Sequence, residues 1–68
     1  MREHLTTREV EVLKCLVLLG DSTKEVAGRL NISFKTAATH RANIMGKMKV
    51  HNSASLVREA LLKGLVDR

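Results

Sequence analysis

Between Leu30 and Phe34 the chain has three residues, Asn31-Ile32-Ser33, in which to end one amphipathic stretch and begin another. Asparagine tolerates the left-handed conformation that closes a helix, and a serine hydroxyl accepts from the orphan N–H groups that open the next. Two helices joined so tightly cannot lie antiparallel along their lengths; they cross steeply, as in a helix-turn-helix. The segment after the turn reads as one long helix, 34–48. Ala37, His40, Ile44 and Met48 keep the i, i+3, i+4 rhythm of a buried stripe, and Ile32 and Ala37 are spaced as a hydrophobic staple. The other side carries Lys35, Ala38, Thr39, Ala42, Asn43 and Gly46, which are small, polar or cationic. A helix of that kind fits the major groove of DNA, which is wide enough to admit it.

The other elements arrange themselves around this one. Thr6 and Glu9 form a T-x-x-E capping box, with Leu5 and Val10 as its staple. The first helix, about 7–19, turns Val10, Leu13, Leu16 and Val17 inward, with Val12 and Leu19 widening the face, and Gly20 ends it. Ser22 and Glu25 make a second box, and the short helix 23–30 offers Val26, Ala27 and Leu30 to the core. Asn52 caps a fourth helix, about 53–63, which Gly64 stops. The expected fold is therefore all-α: a single four-helix, bundle-like domain over residues 1–68 that contains a helix-turn-helix. The 68 residues are near the lower limit for one core. Phe34 is the sole aromatic, so that core is aliphatic, and the lack of proline suits helices throughout.

The formal charge of +5 asks for an acidic partner. From Ser22 to His51 the cations are Lys24, Arg29, Lys35, Arg41, Lys47 and Lys49 against one acid, Glu25, while the first helix is nearly neutral. The excess is one-sided in the segment that holds the groove-sized helix, and the starts of helices two and three can each donate N–H groups to a phosphate. Nucleic acid is the partner this implies.

Other chemistries find no footing. Cys15 is alone, which rules out an internal disulfide and suits a reducing cytoplasm; it reads as a small apolar helix residue. His4, His51 and Cys15 lack ligand spacing, so no metal is expected. The stretch from Gly20 to Lys24 misses the G-x-x-x-x-G-K phosphate-loop pattern. With no acid pair, nucleophile elbow or Ser/His/Asp set, neither enzymatic activity nor a cofactor is expected. The apolar run from Cys15 to Leu19 is too short to span a bilayer and no signal peptide precedes it, so the expected location is the cytoplasm, away from membranes. His40, within the stripe, is assigned a buried, hydrogen-bonded structural role over a base or phosphate contact, and Met45 and Met48 fill gaps in the core. The fourth helix has more apolar residues than one core face needs: Leu56, Val57, Ala60, Leu61 and Leu62. Val57 and Leu61 either build a weak symmetric dimer or are partly covered within the monomer.

Several blocks together resemble one family. Leu5-Thr6-x-Arg8-Glu9-Val10-Glu11-Val12-Leu13 is the first, and Gly20-x-Ser22-x-Lys24-Glu25-Val26-Ala27-x-x-Leu30-x-Ile32-Ser33-x-Lys35-Thr36 the second. With His40-Arg41-x-Asn43-Ile44-Met45-x-Lys47-Met48, then Asn52, Leu56-Val57, Ala60 and Gly64-Leu65, they are similar to the LuxR/FixJ (NarL-like) helix-turn-helix domain of bacterial transcription regulators. The resemblance implies a DNA-binding output domain, commonly fused behind a phosphoacceptor receiver or a sensor domain, and dimerisation through the fourth helix on a palindromic site. By position it implies base reading by Ala38, Thr39, Ala42 and Asn43. It implies phosphate contacts by Ser22, Lys24, Lys35, Thr36, Arg41 and Lys47. Ala37 stands where the family has Val or Ile, Thr23 where Asn is common, and Ala38 and Ala42 where relatives carry long polar side chains. Alanines touch thymine methyls but make no hydrogen bonds, so base specificity is expected to be modest, with phosphates carrying the affinity. Two other readings stay open. Region 4 of sigma factors shares the T-x-R-E and helix-turn-helix arrangement and would work with RNA polymerase, a possible partner for the regulator too. A helix-turn-helix that has lost DNA would instead be a protein-interaction module.

Overall fold

Four helix starts, each with its own cap, set the architecture. In the computed structural model, which describes residues 4–66, the helices are α1 (Thr7–Leu18), α2 (Thr23–Leu30), α3 (Phe34–Met48) and α4 (Ser53–Leu62). The hydroxyls of Thr6, Ser22 and Ser33 and the amide oxygen of Asn52 each accept from the N–H three residues on. At α1 and α2 the boxes close fully, with Glu9 and Glu25 accepting from the N–H of Thr6 and Ser22 at 2.9 and 2.7 Å. Leu19 and Lys63, expected as last helical residues, are instead the C-caps, because their backbones already turn toward Gly20 and Gly64.

The helix ends explain how so short a chain encloses a core. Asn31 closes α2 in the left-handed region at φ 58°, and the N–H of Ile32 reaches back to Ala27 O at 3.0 Å. α3 ends the same way on Lys49, φ 57°, with Val50 N–H on Met45 O at 3.1 Å. At the end of α4, Gly64 and Leu65 donate to Leu61 O and Ala60 O. These paired bonds are the Schellman arrangement, which swings the residue after the left-handed one back against the helix. Val50 and Leu65 are both buried as a result, and Val66 follows Leu65 inward.

Leu13, Ile44, Leu56, Val12 and Val26 are the largest fully buried side chains, so all four helices meet in one aliphatic core. α3 lies against both α1 and α2 and is the central element. Its expected stripe is buried at Ala37, Ile44 and Met48, but His40 is half-buried and makes no hydrogen bond among the described residues. That corrects its expected role: it stands at the margin of the core, close enough to the Glu9 carboxylate for its charge to be felt there. The inward face of α1 is also rotated from expectation. Val12 and Cys15 take the centre, Val10, Leu16 and Val17 are half-buried, and Leu19 is 56% exposed. Glu9 has moved inside because α3 supplies a cation to meet it.

Candidate nucleic-acid interface

With Ala37, Ile44 and Met48 fixed on the core, helical geometry puts Lys35, Thr39, Ala42, Asn43 and Gly46 on the far side of α3. All five are exposed, and Ala38 beside them is half-buried. No acid stands in the first turn of α3. Ser33 Oγ accepts from the N–H of Thr36 at 3.0 Å and donates to Thr36 Oγ1 at 2.9 Å, which leaves the threonine's own hydroxyl proton free. The start of α3 thus offers Lys35, a hydroxyl and first-turn N–H groups with no acid in that turn.

The start of α2 is built from the same parts but carries its own anion. Ser22 Oγ accepts from Glu25 N–H at 3.2 Å and the Glu25 carboxylate takes the Ser22 N–H. Lys24 is exposed beside it. Ser22 lines a cleft between the α1–α2 loop, α3 and α4, and Arg41, Ser53 and Val57 line it too. Arg41 is half-buried there and donates through one Nη to Ser53 Oγ at 3.0 Å, tying α3 to the start of α4. Among the described residues no other group claims its remaining guanidinium hydrogens, and two of the expected phosphate-contacting residues, Ser22 and Arg41, share one opening.

Two of the six cations counted in this segment are committed within the chain. Arg29 grips Asp21 with two bonds, 2.7 and 3.1 Å, across the α1–α2 loop. Those bonds hold the Asp21 carboxyl below the ordinary aspartate range. Lys47 donates to Glu9 Oε1 at 2.7 Å and to His4 O at 3.4 Å. Burial pushes the Glu9 carboxyl up, but the Lys47 bond, the Thr6 N–H and the charges of Lys47 and His40 outweigh it and hold it below its usual range. Lys47 therefore pins the end of α3 to the start of α1 and has one N–H left for any other partner. Among the described residues, Lys24, Lys35, Arg41 and Lys49 have no acidic partner. Sequence reading missed both clamps: Asp21 lay one residue outside the segment whose charges were counted, and Glu9 looked like an ordinary surface cap.

On α4, Val57 is half-buried at the cleft, whereas Leu61 and Leu62 are 40% and 69% exposed. Cys15 is buried, and burial together with the Asp21 carboxylate pushes its thiol up, away from the reactive thiolate. The described residues hold no grouping of histidine, cysteine or acidic side chains able to take a metal ion, and no helix among them is long and apolar enough to cross a membrane.

Comparison with known proteins shows the family. Residues 3–60 match the family model of bacterial regulatory proteins, luxR family. The chain belongs to the luxR family. It is thereby a DNA-binding domain of the helix-turn-helix kind, and the sigma-factor reading gives way. Its similarity to the response regulatory protein YgeK of Escherichia coli K12 is 46% identity over 62 residues, 91% of this chain and 42% of that protein. With the transcriptional regulatory protein FixJ of Azorhizobium caulinodans it shares 48% over 61 residues, 90% of this chain and 28% of FixJ. The response regulator ChrA of a heme-sensing two-component system superposes with a TM-score of 0.87 at 33% identity, over 97% of this chain and 32% of that one. The luxR-family domain described here thus spans less than half the length of these relatives.

Proposed function

We propose that the chain binds double-stranded DNA by laying the outward face of α3 in the major groove, as the output domain of a longer cytoplasmic response regulator. The observation that carries this reading is the bare flank of α3: Thr39, Ala42 and Asn43 are exposed and stand on a helix that carries no acidic residue. Thr39 and Asn43 supply hydrogen bonds to base edges, and Ala38 and Ala42 supply contacts to thymine methyls. Lys35, Thr36 and the first N–H groups of α3 form the main phosphate anchor, since no carboxylate competes there. Ser22, Lys24 and Arg41 form a weaker one, diluted by Glu25. Lys47 contributes least, because Glu9 already holds it. A receiver domain N-terminal to such a unit fits the lengths of its relatives, and RNA polymerase is the machinery that a regulator of this kind would influence. Residues 1–68 act as one domain, and Val57 and Leu61 form a weak symmetric dimer contact whose two copies sit on half-sites about 10 base pairs apart.

Electrophoretic mobility shifts with random-sequence duplex DNA over a range of salt test the proposal. Binding in dilute buffer that weakens linearly in log K against log salt is the expected result. A chain that leaves duplex DNA unshifted at low salt is instead a protein-interaction module working through α4.

A further inference from the structure

The sole aromatic side chain is unexplained by the core. Phe34 opens α3 and is 59% exposed, more than any large apolar residue among the described ones except Leu62. Helical spacing puts Ala38 one turn on and Ala42 two turns on, so Phe34, Ala38 and Ala42 form an apolar ridge that slants from the start of α3 toward its outward face. Side chains on a helix lean toward its N-terminus, which aims the phenyl ring beyond the first turn. Lys35, exposed, follows directly, the first turn carries no acid, and the Thr36 hydroxyl pairs with Ser33 Oγ. An apolar ridge inside a phosphate-binding rim suits one feature of duplex DNA, the 5-methyl group that pyrimidines present in the major groove.

Resting on the groove reading above, we propose that Phe34 is a specificity-determining residue that packs against a pyrimidine 5-methyl group. It extends the methyl-reading strip of Ala38 and Ala42 by one base toward the start of α3. Thymine carries that methyl, and so does 5-methylcytosine, whereas deoxyuridine and cytosine lack it. The ridge therefore discriminates by methyl group rather than by hydrogen-bond pattern, and cytosine methylation at the position facing Phe34 strengthens binding.

The test starts from a random duplex pool, from which the chain selects its most enriched sequence. That duplex is resynthesised with one thymine at a time replaced by deoxyuridine. At one position the parent chain should lose about fourfold in affinity, the value of one buried methyl group, while Phe34→Ala loses less than twofold. Placing cytosine there should weaken binding and 5-methylcytosine should recover it. Phe34→Leu should retain part of the methyl preference, and unchanged thermal melts of both variants would show the fold intact, as the exposure of Phe34 leads one to expect. If the duplex binds but every deoxyuridine substitution affects parent and Phe34→Ala alike, the proposal is overturned while DNA binding stands. If no duplex is enriched even in dilute buffer, the groove reading fails and this inference with it.

Discussion

At the scale of single residues, the two most informative side chains are ones whose surroundings invert their usual behaviour. Glu9 is a capping-box glutamate, a type that normally faces water, yet it is only 4% exposed because Lys47 reaches it from the far end of α3. Its pair is worth about 1 kcal/mol, since Lys47 is a third exposed and partly screened. Glu9→Gln keeps a capping acceptor and deletes the charge, so it should destabilise the fold by about that amount at pH 7. The folded carboxyl is held below its unfolded value, so the stabilisation is complete above the ordinary glutamate pKa, about 4.3. It is lost as pH falls through the depressed folded value. Thermal melts should show the gap between parent and variant narrowing as pH falls below the ordinary glutamate range; a gap that stays constant with pH would mean the charge of Glu9 does not stabilise the fold. Lys49 is the second case. It holds φ 57° where glycine is preferred, and a left-handed non-glycine residue costs about 1–2 kcal/mol. Lys49→Gly returns part of that as added freedom of the unfolded chain, so a net gain of about 0.5 kcal/mol is expected in denaturant titration. An equal or lower midpoint would show the turn to be unstrained.

At the scale of elements, α3 is where sequence and structure agree best and where the functional claim is made. Its start at Ser33, its span and its buried Ala37, Ile44 and Met48 were all legible, because caps and i, i+3, i+4 spacing are local signals. The other three helix starts were legible for the same reason. The helix ends were less so. Nothing in a lysine announces a left-handed turn, so the return of Val50 to the core gave no warning, and Leu65 and Val66 were likewise not foreseen as core residues. The charges of the interface were legible as a sum but not as a pattern. Arg29–Asp21 and Lys47–Glu9 join residues eight and thirty-eight apart, separations that local reading does not cover. The pattern has a consequence for DNA binding. Lys35→Ala and Arg41→Ala should each flatten the log K against log salt line by about one unit. Lys47→Ala should flatten it by less, since its charge is already matched by Glu9. Equal slopes for all three would place Lys47 among the phosphate contacts on the same footing as Lys35.

At the scale of the whole molecule, one aliphatic core holds α3 with its polar flank outward and leaves α4 partly bare. The exposure of Leu61 and Leu62 beside the half-buried Val57 gives the proposed dimer its surface. Sedimentation at high concentration should show reversible self-association in the parent chain and a monomer in Val57→Asp. Identical monomers in both would remove the dimer and leave a domain that binds one half-site at a time. The central claim concerns the outward flank of α3. Backbone amide NMR shifts, followed while a short duplex is added to the labelled chain, report it directly. The largest changes should run through Phe34–Asn43 and Ser22–Lys24, with smaller ones at the start of α4, where Ser53 meets Arg41, and the Leu61–Leu62 end nearly silent. Changes centred on α4, with the Thr39 flank unmoved, would contradict it.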